Sequence, residues 1–295
     1  MRTRRHLHLG RAVAWGFMIV ALVLTAFPFY WMVRTALTPA AELVSDSGQL
    51  WPSNPTLVNF QRVLGLVSKQ EAVAAGGSGA SINFPRYTLN SLIYAGGVAL
   101  IQTFSCAAAA YAFARLTFKG REALFLIILG GLMIPGIFTL LPNFTLIRDI
   151  GLMNTMFGLM LPAMLMTPFA IFFLRQFFLS IPREVEEAAM LDGLNPISSF
   201  FRIAIPMNVG PISTMVLITF VGMWKDYLWP LVIGRQEGTR VLTVALGVFQ
   251  QQSPNTAPDW TGLMAGSTLS VLPALLILIF LGKQLVQSIN FSSNK

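Results

Sequence analysis

Residues 187–206 read EAAMLDGLNPISSFFRIAIP. This stretch is polar and able to form helices, whereas the sequence on both sides of it is mostly apolar. Two segments that suit lipid flank this polar, helix-forming segment. Such an arrangement is typical of a docking surface for a cytoplasmic partner. That interpretation requires the flanking segments to span a membrane.

The composition places the chain in a lipid bilayer. Of its 295 residues, 55% are hydrophobic and only 11% are charged, and the mean hydropathy is +0.66. A chain of this length with so few charged residues cannot cover a water-facing globule. Its apolar runs are continuous rather than short and alternating, which favours helices over a β-barrel.

Six apolar runs are long enough to cross about 30 Å of hydrocarbon, which takes roughly 17 to 25 helical residues. The expected fold class is therefore an all-α membrane protein with six transmembrane helices and one polar cytoplasmic loop at 175–210. Residues 88–281 form the transmembrane core, and residues 1–11 and 282–295 are tails. The predicted spans are Ala12–Val33, Thr88–Phe113, Ala123–Leu141, Met156–Leu174, Pro211–Ile233 and Leu263–Leu281.

The distribution of Lys and Arg predicts the orientation, because cytoplasmic loops carry the excess. With the N-terminus inside, twelve basic residues fall on the inner side and seven on the outer side. Both termini and the polar loop are therefore expected in the cytoplasm. The inner residues are Arg2, Arg4, Arg5, Arg11, Arg115, Lys119, Arg121, Arg175, Arg183, Arg202, Lys283 and Lys295, and the outer residues are Arg34, Arg62, Lys69, Arg86, Arg148, Arg235 and Arg240.

The net charge of +8 fits basic rims that face lipid headgroups. Nucleic-acid binding is not expected, because no basic domain is present to carry it. The outer loop, residues 34–87, contains a short helical pattern at residues 57–64. The run AAGGSGAS at Ala74–Ser81 is then predicted to be a flexible insert.

The polar loop is predicted to form two short helices at an angle. Pro182 suits a first helical turn, because no N–H partner is lost there, and Glu184 favours the positive end of the helix. Gly193 is expected to take the left-handed conformation that ends this helix. Asn195 and Pro196 then supply an N-cap and a first-turn residue for the second helix.

This bent pair of helices offers two kinds of contact to a partner. Its apolar side, Val185, Ala188, Ala189 and Leu191, suits a groove on another protein, and its acidic residues suit a basic rim around that groove. The alternative is an amphipathic loop that lies on the bilayer. The acidic residues disfavour that alternative, because the inner leaflet is negatively charged.

The residues of this loop carry a resemblance to a known family. The pattern E-A-A, three residues, G, nine residues, I-x-[hydrophobic]-P resembles the EAA loop of binding-protein-dependent ABC importer permeases. Further segments resemble, in order, the carbohydrate branch of that family, the six-helix partner of the maltose or glycerol-phosphate type, over about nine tenths of the chain. They are TPAAEL from Thr38, NPTLVNF from Asn54, NSLI from Asn90, AYAFARLTFKGR from Ala110, MIP from Met133, IGLMNT from Ile150, FFLRQFF from Phe172 and WKDYLWPLVI from Trp224.

The resemblance implies a mechanism and a set of partners. Two permease subunits form the pathway, two ATPase subunits dock beneath them, and an extracytoplasmic binding protein delivers the solute. The chain contains no G-x-x-x-x-G-K-[ST] loop, so ATP and Mg are expected on the ATPase partners, and this chain is expected to be neither an enzyme nor a cofactor protein. The resemblance implies that the ATPase contacts a set of loop residues: Glu184, Glu187, Ala188, Ala189, Asp192 and Gly193.

The chain departs from the family pattern in the fifth predicted span. The family commonly has W-N before a polar residue, whereas this chain has Trp224, Lys225 and Asp226. Lys225 is predicted to lie roughly 12 Å from the outer end of a continuous helix, a depth that requires contact with protein or water. Two interpretations stay open for Trp224, Lys225, Asp226 and Tyr227: they line the solute pathway, or they form a structural contact with the sister permease.

The smaller departures, Leu194 for Ala and Ile205 for Leu, remain apolar. The resemblance implies a sugar, sugar alcohol or glycerophosphate-like solute, and Lys225 favours an anionic or strongly polar one. The alternatives from other classes are a self-sufficient secondary transporter and a membrane sensor. Copurification with a sister permease and an ATPase separates the import hypothesis from the secondary transporter, and solute-stimulated ATP hydrolysis separates it from the sensor.

Overall fold

A computed structural model describes residues 3–74, 76–251 and 258–290, and its regular secondary structure within these ranges is helical. The predicted tails, 1–11 and 282–295, lie partly outside the described residues. The α-helices are, in chain order, α1 (Thr3–Leu37), α2 (Val58–Val63), α3 (Lys69–Ala74), α4 (Phe84–Arg115), α5 (Arg121–Gly130), α6 (Gly136–Asp149), α7 (Met156–Met164), α8 (Pro168–Leu179), α9 (Arg183–Leu191), α10 (Pro196–Ser199), α11 (Ile205–Met207), α12 (Val209–Trp224), α13 (Leu228–Ile233), α14 (Leu242–Leu246), α15 (Val248–Gln251) and α16 (Trp260–Asn290).

The chain divides into two compact units, each built from two segments. The first unit contains Met1–Phe84 and Leu246–Leu272, so it holds the outer loop predicted at residues 34–87. The second unit contains Pro85–Ala245 and Pro273–Lys295, so it holds the polar loop.

Three helical segments are long and apolar enough to cross a membrane: Gly10–Leu37 of α1, all of α4, and Trp260–Phe280 of α16. They correspond to the first, second and sixth predicted spans. Residues 10–30 of α1 are exposed along their whole length within this chain. Such an apolar surface needs lipid or another protein to cover it.

The third predicted span, Ala123–Leu141, is not one continuous helix, and that expectation was wrong. Helix α5 and the turn that follows it meet α6 at an angle of 102°. The break lies at Ile134, which is extended with φ −89° and ψ 112°, immediately before Pro135. A residue before proline is driven out of the helical conformation, because its backbone would clash with the proline ring.

The fourth predicted span, Met156–Leu174, is broken for the same reason, with 52° between α7 and α8. Thr167, the residue before Pro168, is extended with φ −128° and ψ 140°. Its hydroxyl oxygen then caps α8 by accepting a hydrogen bond from the Ala170 N–H at 3.4 Å. If each bent pair counts as one span, the described residues contain up to six spans, and the last bent pair joins 196–207 to α12 at 81°.

A buried ion pair holds the first unit together. Arg62 on α2 contacts the carboxylate of Asp259, and both side chains are at least 98% buried. Asp259 also accepts hydrogen bonds from the Ser78 N–H at 2.8 Å and from the Gly262 N–H at 2.9 Å, and the second of these caps α16. Asn59 extends the network to the end of α1, because its amide donates to the Ala36 carbonyl at 2.8 Å.

The insert at Ala74–Ser81 was predicted to be flexible, and the described part of it is packed instead. Ser78 and Ala80 are buried, and the Ser78 hydroxyl donates to Asp259 at 2.6 Å. Ala75 lies outside the described residues. Small residues are needed at this place because the backbone approaches a buried carboxylate, and composition alone does not distinguish this role from flexibility.

Asp259 is held in its charged form. Burial acts to raise the pKa of this carboxyl, but the hydrogen bonds from Ser78 and Gly262, together with Arg62, outweigh burial and leave the pKa below its ordinary value. Because the pKa of Asp259 is lower in the folded state than in the unfolded chain, its charged form stabilises the fold at any pH above the ordinary pKa of an aspartate. That contribution is lost as the pH falls through the lowered pKa.

Substituting Asp259→Asn is expected to destabilise the protein by about 3 to 5 kcal/mol, because Arg62 is left buried without its counter-charge. The matched control is Asp149→Asn, which breaks an ion pair with Arg148 whose side chains are 63% and 57% exposed. That control is expected to cost about 0 to 1 kcal/mol. Thermal unfolding of the purified variants in detergent measures both losses of stability. Equal shifts in unfolding temperature would contradict the conclusion that the pair of Arg62 and Asp259 holds the first unit together.

Two apolar clusters form the core of the second unit. The first packs α4 against α8 and the residues after α10, where the rings of Tyr111 and Phe178 meet edge to face at 5.9 Å and Phe200 lies 5.3 Å from Tyr111. The second gathers Tyr94, Ile147 and neighbouring residues around α13. The first cluster supports the polar loop, and the second forms part of the surroundings of a cavity.

Candidate functional site

The polar loop contains the two short helices that the sequence predicts. Helix α9 ends before Gly193, which has φ +81°, and the Leu194 N–H reaches back to the Ala189 carbonyl at 2.9 Å. The Asn195 side chain caps α10 by accepting from the Ser198 N–H at 2.8 Å. The bend is therefore fixed by backbone hydrogen bonds and one side-chain cap.

The loop presents an acidic face to its surroundings. Ala189 is buried within the chain and Val185 is half-buried, so these two members of the predicted apolar side face inward. Leu191 is 90% exposed and remains available. The other predicted contact residues are exposed, namely Glu184, Glu187, Ala188, Asp192 and Gly193.

Arg115 fastens this loop to α4 and to the end of α8. It ends α4, and its Nε lies 3.2 Å from Oε1 of Glu186 on α9. The same guanidinium donates to the Phe178 carbonyl at 2.6 and 3.0 Å and also to the Ile181 carbonyl. Both side chains of the ion pair are nearly buried, at 8% and 14% exposure. One side chain thus joins α4, the end of α8 and α9, and we call this set of contacts the Arg115 joint.

Sequence reasoning missed the Arg115 joint, because it counted Arg115 only as a cytoplasmic charge. The available signal was an arginine that directly follows a long apolar helix and an acidic residue, Glu186, on the inward side of a predicted amphipathic helix. Burial raises the pKa of Glu186 above its ordinary value, and Arg115 and Arg183 offset only part of that rise.

A cavity of about 760 Å³ lies in the second unit beside the break between α12 and α13. Its walls come from α4, α6, α7 and the residues around that break. The lining residues that matter for its chemistry are Tyr94, Thr139, Asn143, Lys225, Asp226, Tyr227 and Trp229.

The fifth predicted span, Pro211–Ile233, was expected to be continuous, and that expectation was wrong. Helix α12 ends at Trp224 with Lys225 as its C-cap, and α13 begins at Leu228. The Asp226 carboxylate accepts hydrogen bonds from the backbone N–H groups that open α13, which stabilises the break. Lys225 therefore lies at a helix end, where its side chain is exposed to the cavity.

The structure brings three of the four predicted pathway residues to the cavity. Lys225, Asp226 and Tyr227 line it, whereas Trp224 is buried and stacks on Phe220 with ring centroids 5.6 Å apart. The Tyr94 hydroxyl donates to Asp226 at 2.9 Å. Within the part of the chain that the structure describes, no group of three His, Cys, Asp or Glu side chains is placed to hold a metal ion.

Comparison with known proteins identifies the family. Residues 103–291 match the family described as "Binding-protein-dependent transport system inner membrane component". The chain belongs to this family. It is a permease of a binding-protein-dependent importer and an integral membrane protein.

Individual relatives cover almost the whole permease. It is 32% identical over 295 residues to the "Probable ABC transporter permease protein YurM" of Bacillus subtilis (strain 168), covering 100% of this chain and 92% of that one. It is 28% identical over 279 residues to the "Arabinooligosaccharides transport system permease protein AraQ" of the same organism, covering 95% of this chain and 93% of that one.

A solved structure shows the same fold. It is described as a bacterial ABC transporter involved in the import of the acidic polysaccharide alginate. The superposition has a TM-score of 0.75 at 22% identity and covers 96% of this permease and 98% of that chain. The all-helical fold expected from the sequence is confirmed.

Four of the polar or aromatic cavity residues named above were missed by sequence reasoning: Tyr94, Thr139, Asn143 and Trp229. Asn143 carried a usable signal, because an amide inside an otherwise apolar helix has to find a polar neighbour or water. Tyr94 and Trp229 carried none, since an aromatic residue within a span most often packs in the core.

Substituting Arg115→Met is expected to destabilise the permease by about 3 to 5 kcal/mol, because it leaves Glu186 without the Arg115 charge, removes the guanidinium donor of the Ile181 carbonyl, and leaves the Phe178 carbonyl with only its backbone donor. Substituting Glu186→Gln removes the counter-charge of Arg115 but leaves its carbonyl contacts, which partly compensate the guanidinium charge, so this variant is expected to cost less, about 1 to 3 kcal/mol. Thermal unfolding of the two variants in detergent compares them. A larger loss of stability in Glu186→Gln than in Arg115→Met would contradict the conclusion that Arg115 holds the three helices together.

Proposed function

We propose that this permease imports a carbohydrate or related polyol in an assembly driven by ATP hydrolysis. The relative AraQ is named for arabinooligosaccharides, and the solved neighbour imports alginate, a polysaccharide. The cavity supports the same class of solute, because hydroxyl, amide and charged groups stand among the aromatic faces of Tyr94, Tyr227 and Trp229.

The observation that carries the proposal is the acidic face of the polar loop. Glu184, Glu187 and Asp192 are exposed on a bent helix pair whose inner side is anchored to the permease. We assign this face, together with Ala188 and Gly193, to contact with a partner ATPase. Ala189 supports the contact from within, because its burial sets the rotation of α9 about its axis.

The Arg115 joint provides the route by which movement of α9 reaches the transmembrane helices. When nucleotide binding closes the two ATPase subunits, α9 is displaced with them. The ion pair to Glu186 and the bonds to the end of α8 make α4 and α8 follow as rigid bodies. Since α4 contributes Tyr94 to the cavity, this displacement changes the cavity walls.

The complete assembly would contain this permease, a second permease, two ATPase subunits and an extracytoplasmic solute-binding protein. ATP and Mg would be bound by the ATPase subunits, which have the phosphate loop that this chain lacks. Both termini and the polar loop would face the cytoplasm of a bacterial or archaeal cell. The exposed apolar face of α1 supports contact with lipid or with the second permease.

Substituting Gly193→Arg is expected to abolish ATPase docking, and Gly120→Arg is the matched control. Both glycines have positive φ, +81° and +82°, and an added Cβ meets no atom within 4 Å at either position. The backbone strain is therefore the same, and equal shifts in unfolding temperature are expected. Because Gly193 lies on the proposed ATPase contact, only Gly193→Arg is expected to lower copurification with the ATPase and ATP-dependent sugar uptake, by about tenfold or more.

Copurification and uptake are measured on the whole assembly in the same preparation. If Gly193→Arg keeps its ATPase, the docking face is wrongly assigned. If the wild-type permease transports sugar without any ATPase, it is a secondary transporter. Partner binding without solute-stimulated ATP hydrolysis would make it a sensor.

A further inference from the structure

The polar groups that line the cavity fall into two sets, those already bonded within the protein and those left free. The bonded set includes Trp229, whose indole N–H donates to the Leu159 carbonyl at 2.8 Å, and Thr139, whose hydroxyl donates to the Gly136 carbonyl at 2.8 Å. These groups shape the wall, but their donors are committed within the protein.

Asp226 also belongs to the bonded set. Its carboxylate accepts from the Tyr94 hydroxyl at 2.9 Å and from backbone N–H groups of residues 227–229. These donors surround the carboxylate with positive partial charge and occupy its lone pairs. Asp226 is therefore a cap that holds the break between α12 and α13, and its capacity to bind a solute hydroxyl is largely used.

The free set consists of Lys225, Asn143 and Tyr227. Residues 3–74, 76–251 and 258–290 supply no hydrogen bond or ion pair to these three side chains, although all three line the cavity. Lys225 and Tyr227 are exposed, and Asn143 is half-buried. The cavity therefore offers a solute one ammonium group, one amide and one phenol.

This combination favours an acceptor that carries negative charge. An ammonium group has three N–H donors and no acceptor, so its best partner is an anionic oxygen. A hydrogen bond between charged partners is roughly twice as strong as one between neutral partners. The gain is larger here than in bulk water, because most of the wall is apolar and screens charge weakly. The amide and the phenol suit sugar hydroxyls, since each can both donate and accept.

We propose that the cavity takes a sugar bearing an anionic group, either a carboxylate or a phosphate, and that the Lys225 ammonium binds this group while Asn143 and Tyr227 bind hydroxyls. This inference rests on the proposed import function and narrows its substrate class. Lys225 is then a specificity-determining residue. The competing role for Lys225 is an ion pair with the second permease, which needs no solute.

The test measures binding of four labelled sugars to the whole permease–ATPase assembly in nanodiscs by equilibrium dialysis, with the binding protein omitted. Galacturonate trisaccharide is paired with galactotriose, and glucose 6-phosphate is paired with glucose. At least one anionic probe is expected to bind about tenfold more tightly than its neutral partner, as expected when a neutral hydrogen bond is replaced by a charge-assisted one. The pair that shows the difference tells carboxylate from phosphate.

Three variants locate the preference. Lys225→Gln is expected to abolish the preference, so that the anionic probe and its neutral partner bind with about equal affinity. Lys225→Arg keeps the positive charge and is expected to keep the preference for the anionic probe. Lys119→Gln removes a positive charge from an exposed loop that does not line the cavity, and it is expected to leave the preference unchanged. Tyr227→Phe is expected to weaken the anionic and neutral probes by the same factor.

Several results would overturn the proposal. One is that neither anionic probe binds more tightly than its neutral partner. Another is that the Lys225→Gln variant still binds the anionic probe more tightly than the neutral one. A Lys225→Gln variant that loses the second permease would assign Lys225 to the subunit contact instead. ATP-driven uptake of a neutral sugar by the same assembly would leave the import function standing, whereas an assembly without an ATPase would remove that function as well.

Discussion

The guanidinium of Arg115 joins three helices of this permease, and the proposed coupling between its polar loop and its cavity depends on these contacts. The last carbonyls of a helix have no partner within the helix and carry partial negative charge, so a cation at that place satisfies both needs. Arg115 does this for α8 and pairs with Glu186 on α9 at the same time. Because the planar guanidinium has its donors in a fixed arrangement, these contacts set the position of α9 relative to α4 and α8. In the proposed mechanism, α9 without such a joint would move without moving the cavity.

The breaks in the helices are the second constraint, and they explain where polar chemistry is placed. Thr167 precedes Pro168 and is driven into an extended conformation, and its side chain then caps the next helix. At the end of α12, Asp226 has a similar role for α13, while its neighbour Lys225 is left facing the cavity. At these two breaks, polar groups satisfy backbone groups that lipid cannot, and the same two breaks bring the polar side chains of Thr167 and Lys225 to the cavity.

Local features were predictable from the sequence, and long-range ones were not. Gly193 and Asn195 predicted the two helices of the polar loop, because left-handed turns and N-caps depend on residues only a few positions away. The direction of a chain after a break is not encoded in hydropathy, so the 102° bend before α6 was missed. The Arg115 joint and the burial of Ser78 depend on residues far apart in sequence, and neither has a periodic signature. Of the candidate site, Lys225, Asp226 and Tyr227 were found because a charged residue in an apolar run is conspicuous.

The most direct test of this account is the distance between α8 and α9 in the assembled transporter, before and after ATP binding. Spin labels are placed at Leu179→Cys and Leu191→Cys, which are 43% and 90% exposed, in a Cys106→Ala background, and pulsed electron resonance gives the distance distribution. If the Arg115 joint carries the movement, the distribution is the same in the nucleotide-free and ATP-bound states. A mean distance that changes between the two states would show that α9 moves independently of α8, and would contradict the account.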